Sequence, residues 1–292
     1  MRITDRMTQR GLVDDIHRQQ ETMLRLQAQI ASGKLVQNLS DDPARAARSL
    51  ALNAAQAALT QHQKNAQEGI TWMNTTLASL SNARETIQTA RTTAVQGATD
   101  SMTADSRQTL ATSVDQMITQ LREVANAKWN GLSLFAGNKT TTAAFSNTGA
   151  YQGDAGTMTR DIAPGETAVI NVTGQQAFLT GDNAFQVLAD LKTALNNNDG
   201  SAVNALLPRL DTVMNNMLKL EAELGSQVKR VENTNSRLDE LGVTLTKQIS
   251  ENDDTDMPRA IVDLQNADTL YQASLLKASS TLFNTSLLDY LR

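Results

Sequence analysis

The chain contains no cysteine. Disulfide staples, thiolate metal sites and cysteine nucleophiles are therefore excluded. Histidine is nearly missing too, with only His17 and His62 present. No His-Glu-x-x-His pair, His/Cys cluster or Ser/His/Asp set can be built from these two, and both suit exposed helix positions. Ten of the 292 residues are aromatic. A core so poor in rings is built from Ala, Leu, Val, Ile and Met, which suits helices packed along their length rather than one deep globular centre. No apolar run approaches the roughly 20 residues of a membrane span. Residues 1–10 are basic but lack the apolar segment of a cleaved signal peptide. Residues 151–156 hold two glycines but no following Lys-Ser/Thr, so no phosphate loop is present. Asp253, Asp254 and Asp256 lack the glycine turn and terminal glutamate of a calcium loop, and read better as hinge and helix-start charge. The net charge of −5 argues against nucleic-acid binding. Nothing here points to an enzyme, a cofactor or a metal.

What the chain does have is a long helical repeat over residues 203–249. Val203, Leu210, Met217, Leu224, Val231, Leu238 and Leu245 recur every seven residues. The companion positions are Leu206, Val213, Leu220, Gln227, Thr234, Leu241 and Gln248. This 3–4 spacing belongs to a helix that buries a narrow seam against other helices, with Leu210, Met217, Leu224, Val231, Leu238 and Leu245 as its core line. A continuous helix of this length spans roughly 70 Å, which predicts a rod. Gln227 and Thr234 fall in the seam, where polar groups weaken packing but fix register. Pro208 marks either a kink or the true start.

A first helix carries Leu12, Ile16, Gln19, Met23, Leu26 and Ile30 at 4–3 spacing, and Gly33 stops it. Residues 37–43 form a turn in which Asp42 caps and Pro43 opens a second, Ala-rich helix. That helix continues through Ile70, Met73, Leu80 and Ile87 to Gly97, with Arg84 and Arg91 interrupting its seam. Another starts near Asp105. From Gly137 to about Gly181 the helical period disappears, and residues 157–162 and 168–172 read as strands joined at Pro164-Gly165. A short helix at 185–195 leads into the long one. After an acidic hinge at 251–256, a last helix carries Ile261, Leu264, Asp268, Tyr271, Leu275, Ala278 and Leu282, with Leu288 beyond.

The expected fold is mainly α with a small β insert: an elongated rod of long antiparallel helices, capped by a small β-rich domain and flanked by flexible terminal helices. The expected divisions are 1–42, an N-terminal assembly helix and hinge; 43–136, the first helical half; 137–184, the β-rich domain; 185–250, the returning half; and 251–292, a hinge and C-terminal assembly helix. Residues 1–50 carry a net charge of +2 and residues 251–292 one of −4, which favours a meeting of the two ends. A narrow-seam helix alone is marginally stable, so these ends either await a partner or pair with each other within one chain. Leu12, Ile16, Met23, Leu26, Ile30, Ile261, Leu264, Tyr271, Leu275, Leu282 and Leu288 are the candidate assembly positions.

Several short motifs occur in order along the chain. They are Ala31-Ser32-Gly33-Lys34, Ser40-Asp41-Asp42-Pro43-Ala44, Asn126-Ala127-Lys128-Trp129-Asn130-Gly131, Leu224-Gly225-Ser226-Gln227, and the segment from Ala273 through Leu291. Together they resemble the bacterial flagellin family. Leu134-Phe135-Ala136-Gly137 followed by Tyr151-Gln152-Gly153-Asp154 and Arg160 resembles the family's hook–filament junction branch. Trp129 and Ser133 depart from the residues common in flagellins. The resemblance implies a structural subunit exported unfolded by the flagellar type III apparatus and assembled outside the cell through its terminal helices. The implied partners are hook-associated protein 1, flagellin, copies of itself in a tubular ring, and an export chaperone that binds the C-terminal region. Other readings are a short flagellin that builds the filament and a secreted effector or translocator. Against the last, no helix has the broad apolar face of a membrane-inserting segment.

Overall fold

Six α-helices and two small two-stranded sheets follow one another in a computed structural model that describes residues 2–38 and 40–290. The side chains of residues 2–6, 8, 9 and 281–290 lie outside that description. Contacts divide the chain into two compact units, Leu59–Leu241 and the paired ends Met1–Ala58 with Gly242–Arg292.

The central unit is built on two long helices, α2 (Pro43–Gly97) and α5 (Gly200–Asp253), both of which run on past it. Arg91 pairs with Asp211 (2.6 Å), Arg84 with Glu221 (3.2 Å) and Gln63 with Asp239 (2.7 Å). As the number rises on one helix it falls on the other, so the two are antiparallel. The arginines that interrupt the α2 seam therefore stand at its flank, where they reach carboxylates on α5. Along this face α2 buries Trp72, Met73, Leu80 and Ile87, interleaved with the small residues Ala66, Ala83, Ala90 and Ala94. The alanines let two helix backbones approach closely.

Leu210, Met217, Leu224, Val231 and Leu238 are buried, whereas Leu245, in the terminal unit, is only half-buried. The companion line departs from a strict seven. Val228, not Gln227, is buried, and Gly242, not the 48 % exposed Leu241. The third and fourth places after the seven-residue line border the same helix face, so the companion burial moves between them while Val203 to Leu238 keep the strict seven. Gln227 instead accepts from Arg230. Thr234 is 3 % exposed, so a polar seam residue stands where the repeat puts it. Pro208 lies inside α5, which starts at Gly200. It takes the ninth place of the helix, and the Pro208 carbonyl accepts from Thr212 (3.0 Å).

Two shorter helices, α3 (Ala104–Ala125) and α4 (Ala184–Asn196), pack on each other beside this pair. Arg107, 5 % exposed, closes the end of the bundle. Its guanidinium donates to the carbonyls of Gly97, the last residue of α2, and Thr99 just beyond it (both 2.9 Å), and to the carbonyl of Asn198 just past α4 (3.3 Å). The charge thus rests on carbonyls at two helix C-termini, the ends where a cation is favoured.

The β region holds what the sequence has few of. Phe135, Phe145, Phe178 and Phe185 cluster with Tyr151, with ring centroids 5.0–5.9 Å apart. This is a small aromatic core, and beyond it Trp72 and Trp129 form an edge-to-face pair 5.8 Å apart. The Tyr151 hydroxyl lies 3.0 Å from the Phe135 carbonyl and 2.8 Å from that of Asp154, and burial raises its pKa. The Asp154 carboxylate accepts from the amides of Asn138 (2.7 Å) and Gly156 (3.0 Å), which lowers its pKa. Gly137, at φ 68°, has Asp154 Oδ1 only 2.2 Å from where a Cβ would sit. The Leu-Phe-Ala-Gly and Tyr-Gln-Gly-Asp motifs are thus two sides of one packed turn. Strands β1 (Lys128–Trp129) and β2 (Leu132–Ser133) flank Asn130-Gly131 at positive φ, the two-residue turn that Asn-Gly favours. Strands β3 (Thr159–Ala163) and β4 (Glu166–Val169) pair antiparallel around Pro164-Gly165.

Candidate assembly surface

The terminal unit is made of α1 (Arg2–Ser32), α6 (Met257–Tyr290) and the adjoining ends of α2 and α5. The two terminal helices pack against each other, so the pairing of ends within one chain is what the structure contains. Lys34 bridges Asp254 at one end, and further along Leu12 and Gln19 share a groove of about 430 Å³ with Leu270 and Ser274. The helices therefore run antiparallel.

Leu12, Ile16, Met23, Leu26 and Ile30 are all half-buried, as is Gln19. The α1 seam is thus the face turned to its neighbour. On α6 the inward line is Ala260, Leu264, Ala267, Tyr271, Ser274 and Ala278. Leu264 and Tyr271 belong to the line read from the sequence, but Ile261 and Leu275 do not: they are 44 % and 43 % exposed. The small residues Ala260 and Ala267 take the buried places because they let α1 come close. Leu282 and Leu288 lie outside the residues whose side chains are described.

Other large apolar side chains on these helices also face water: Val13, Leu24, Val262, Leu270 and Leu276, the last 72 % exposed. In the central unit only Val95, Val169, Leu218 and Leu241 do so among the described residues. The contrast is physical. One unit buries its apolar surface, while the other displays a broken apolar surface of the kind that marks an interaction site. The outer faces of both helices mix charge with these apolar side chains. Arg10, Asp14, Arg18, Glu21 and Arg25 are exposed on α1, and Arg259, Asp263, Asp268 and Lys277 are exposed among uncharged Val262, Gln265, Thr269, Gln272 and Leu276 on α6.

The joint below these helices explains two of the sequence motifs. Gly33, at φ 70°, ends α1. Its carbonyl accepts from the Thr255 amide (2.9 Å), and the Leu35 amide donates to the Asp253 carbonyl (2.7 Å). Lys34 Nζ lies 2.7 Å from Asp254 Oδ1. That hydrogen bond raises the pKa of Lys34 and lowers that of Asp254. Asp42 caps α2 through the Arg45 amide (3.0 Å), and Asp256 caps α6 through that of Arg259 (3.2 Å). The acidic hinge is shorter than 251–256, because α5 continues through Asp253. Asn252, 8 % exposed, exchanges hydrogen bonds with Arg45, and Ser49 donates to Asp253 (2.8 Å), which holds these residues helical.

This arrangement has counterparts. The bacterial flagellin N-terminal helical region matches residues 3–140, and its C-terminal helical region residues 207–291. The chain belongs to the bacterial flagellin family. Flagellar hook-associated protein 3 of Salmonella typhimurium is 31% identical over 83% of this chain and 83% of its own length. That of Escherichia coli is 28% identical over 94% and 95%. A solved structure of a flagellar hook-associated protein from Vibrio parahaemolyticus superposes with a TM-score of 0.69 at 24% identity, over 73% of this chain and 100% of its own, which places the fold with it. Within the flagellin family this chain is most like hook-associated protein 3, a structural component of the flagellum. His62, one of the two histidines, lies beside the Asp161 carbonyl (3.3 Å), and His17 is exposed. Among the described residues no helix is long and apolar enough to cross a membrane.

Proposed function

We propose that this chain is the adaptor that joins the hook to the flagellin filament, with hook-associated protein 1 on one side and flagellin on the other. Copies of it form a short tubular ring through α1 and α6. It leaves the cell by the flagellar type III apparatus, and a chaperone covers its C-terminal region beforehand. The observation that carries this reading is the concentration of exposed apolar side chains on the terminal helices, in a chain most like hook-associated protein 3. Ile261, Leu275 and Leu276 on α6 suit both a chaperone and neighbouring subunits, because each presents apolar area that water disfavours. The chemistry is that of surfaces rather than of a reaction.

Seeded growth tests it. Purified protein added to filament fragments should fail to extend them. Long filaments made of this protein alone would identify it as a filament subunit instead.

A further inference from the structure

We propose that the β3–β4 hairpin is a brace that holds α2 and α5 together where the central unit has thinned to those two helices. The hairpin is gripped from both sides. From α2, Asn65 donates to the Asp161 carbonyl (2.9 Å), and His62 lies beside the same oxygen. From α5, Arg230 and Arg237 both reach the Glu166 carboxylate (3.2 and 3.3 Å), and Arg230 also approaches the Thr167 carbonyl. Gln63 and Asp239 join the two helices directly at the same level. Beneath these polar contacts Ile162 and Ala168 are fully buried, and Ile170 is 2 % exposed. A Cβ on Gly69 would lie 3.1 Å from Ile170, so the strand leaving the hairpin runs hard against α2.

The need for a brace follows from the seam. Over residues 59–69 the buried residues of α2 are Leu59, Ala66 and Gly69, and the facing stretch of α5 buries Val231 and Leu238 on either side of the polar Thr234. Two helices joined by a single narrow seam, broken by a polar residue, are marginal on their own. Further along the bundle α3 and α4 supply the extra layer. Here the hairpin does, with two buried side chains and a pair of arginines on one carboxylate. Each exposed ion pair alone adds little, so the brace depends on both sets together.

The experiment weakens the hairpin without touching either helix. Gly165 stands at φ 74° with open space around its Cβ position, so Gly165→Val strains the turn without its Cβ meeting another atom. Hydrogen exchange is then read in residues 60–68 and 229–240. A brace predicts that protection there falls by about tenfold or more, while α3 and α4 keep theirs. Glu166→Gln should lower it in the same helical segments by a smaller factor. Faster exchange confined to the hairpin, with both helical segments unchanged in both variants, would overturn the proposal. Loss of protection throughout the central unit would overturn it too, because the hairpin would then be part of the general core.

Discussion

Lys34 and Asp254 are paired twice, once as bridge partners along the backbone and once through a 2.7 Å contact between their side chains. They are 220 positions apart in sequence. One belongs to the turn after the first helix and the other to the turn before the last, so this pair ties the two ends of the chain at their bases.

Reversing one charge should loosen both ends. Asp254→Lys is expected to speed hydrogen exchange in α1 as well as in α6, and the exchanged pair Lys34→Asp with Asp254→Lys should restore much of the protection. The pH dependence follows from the two shifts. Asp254 has a lowered pKa, so its contribution is present above the usual carboxylate range and is lost as pH falls through the lowered value. Lys34 has a raised pKa, so its contribution is present below the usual lysine range and is lost as pH rises through the raised value. Protection of the ends should therefore be broad across neutral pH and fall at both extremes. Salt should weaken it, because both groups face water. Unchanged exchange in α1 on Asp254→Lys would mean that the pair does not couple the ends.

The α5 seam is tested by contrast. Leu238 is 6 % exposed and Leu241 is 48 % exposed. Leu238→Asp should cost several kcal/mol, because it buries an unpaired charge, and Leu241→Asp should shift stability by about 0.5 kcal/mol or less. Thermal unfolding followed by circular dichroism measures both. Equal effects would show that the seam does not face a core.

Arg107 gives a third prediction. Arg107→Met keeps most of the apolar volume but leaves the carbonyls of Gly97 and Thr99 without their donor. The expected cost is on the order of 2–4 kcal/mol, that of buried acceptors left unpaired. Denaturant unfolding of the variant should show an earlier midpoint with an unchanged slope. A midpoint equal to that of the parent chain would mean water replaces the guanidinium at no cost.

Much of this fold was legible in periodicity. The two long helices, the stop at Gly97, the cap at Asp42-Pro43 and the hairpin around Pro164-Gly165 follow from local rules that tertiary packing did not override. Other features needed three dimensions. The burial of Val228 in place of Gln227 uses the i+4 neighbour on the same face, which a strict 3–4 reading ignores. Residues 251–253 read as a loop by composition, yet hydrogen bonds to Arg45 and Ser49 keep them helical. Two signals were present but easily passed over. Asn130-Gly131 marks a tight hairpin. Thr173 and Gln176 form a reciprocal cap that opens a single π-helical turn at Gln175–Leu179. On α6, choosing the larger residues hid the inward line, because Ala260 and Ala267 are buried for being small.

The terminal helices separate pairing from assembly. Leu26 is half-buried in the pair, and Leu275 is 43 % exposed. Leu26→Asp should disturb the pairing of α1 with α6. Leu275→Asp should leave it intact, with the central unit folded in both. Both variants should fail to enter flagella when expressed in cells that lack the parent protein. Wild-type incorporation of Leu275→Asp, read by immunogold labelling, would remove the exposed face of α6 from the assembly surface.

The most direct measurement is the appearance of cells from which this protein alone has been removed. By electron microscopy such cells should keep complete hooks and carry no filaments. Their medium should contain flagellin as monomer, because no flagellin-compatible end caps the hook. Restoring the gene should restore filaments. Filaments of normal length growing from hooks in the absence of this protein would contradict the account.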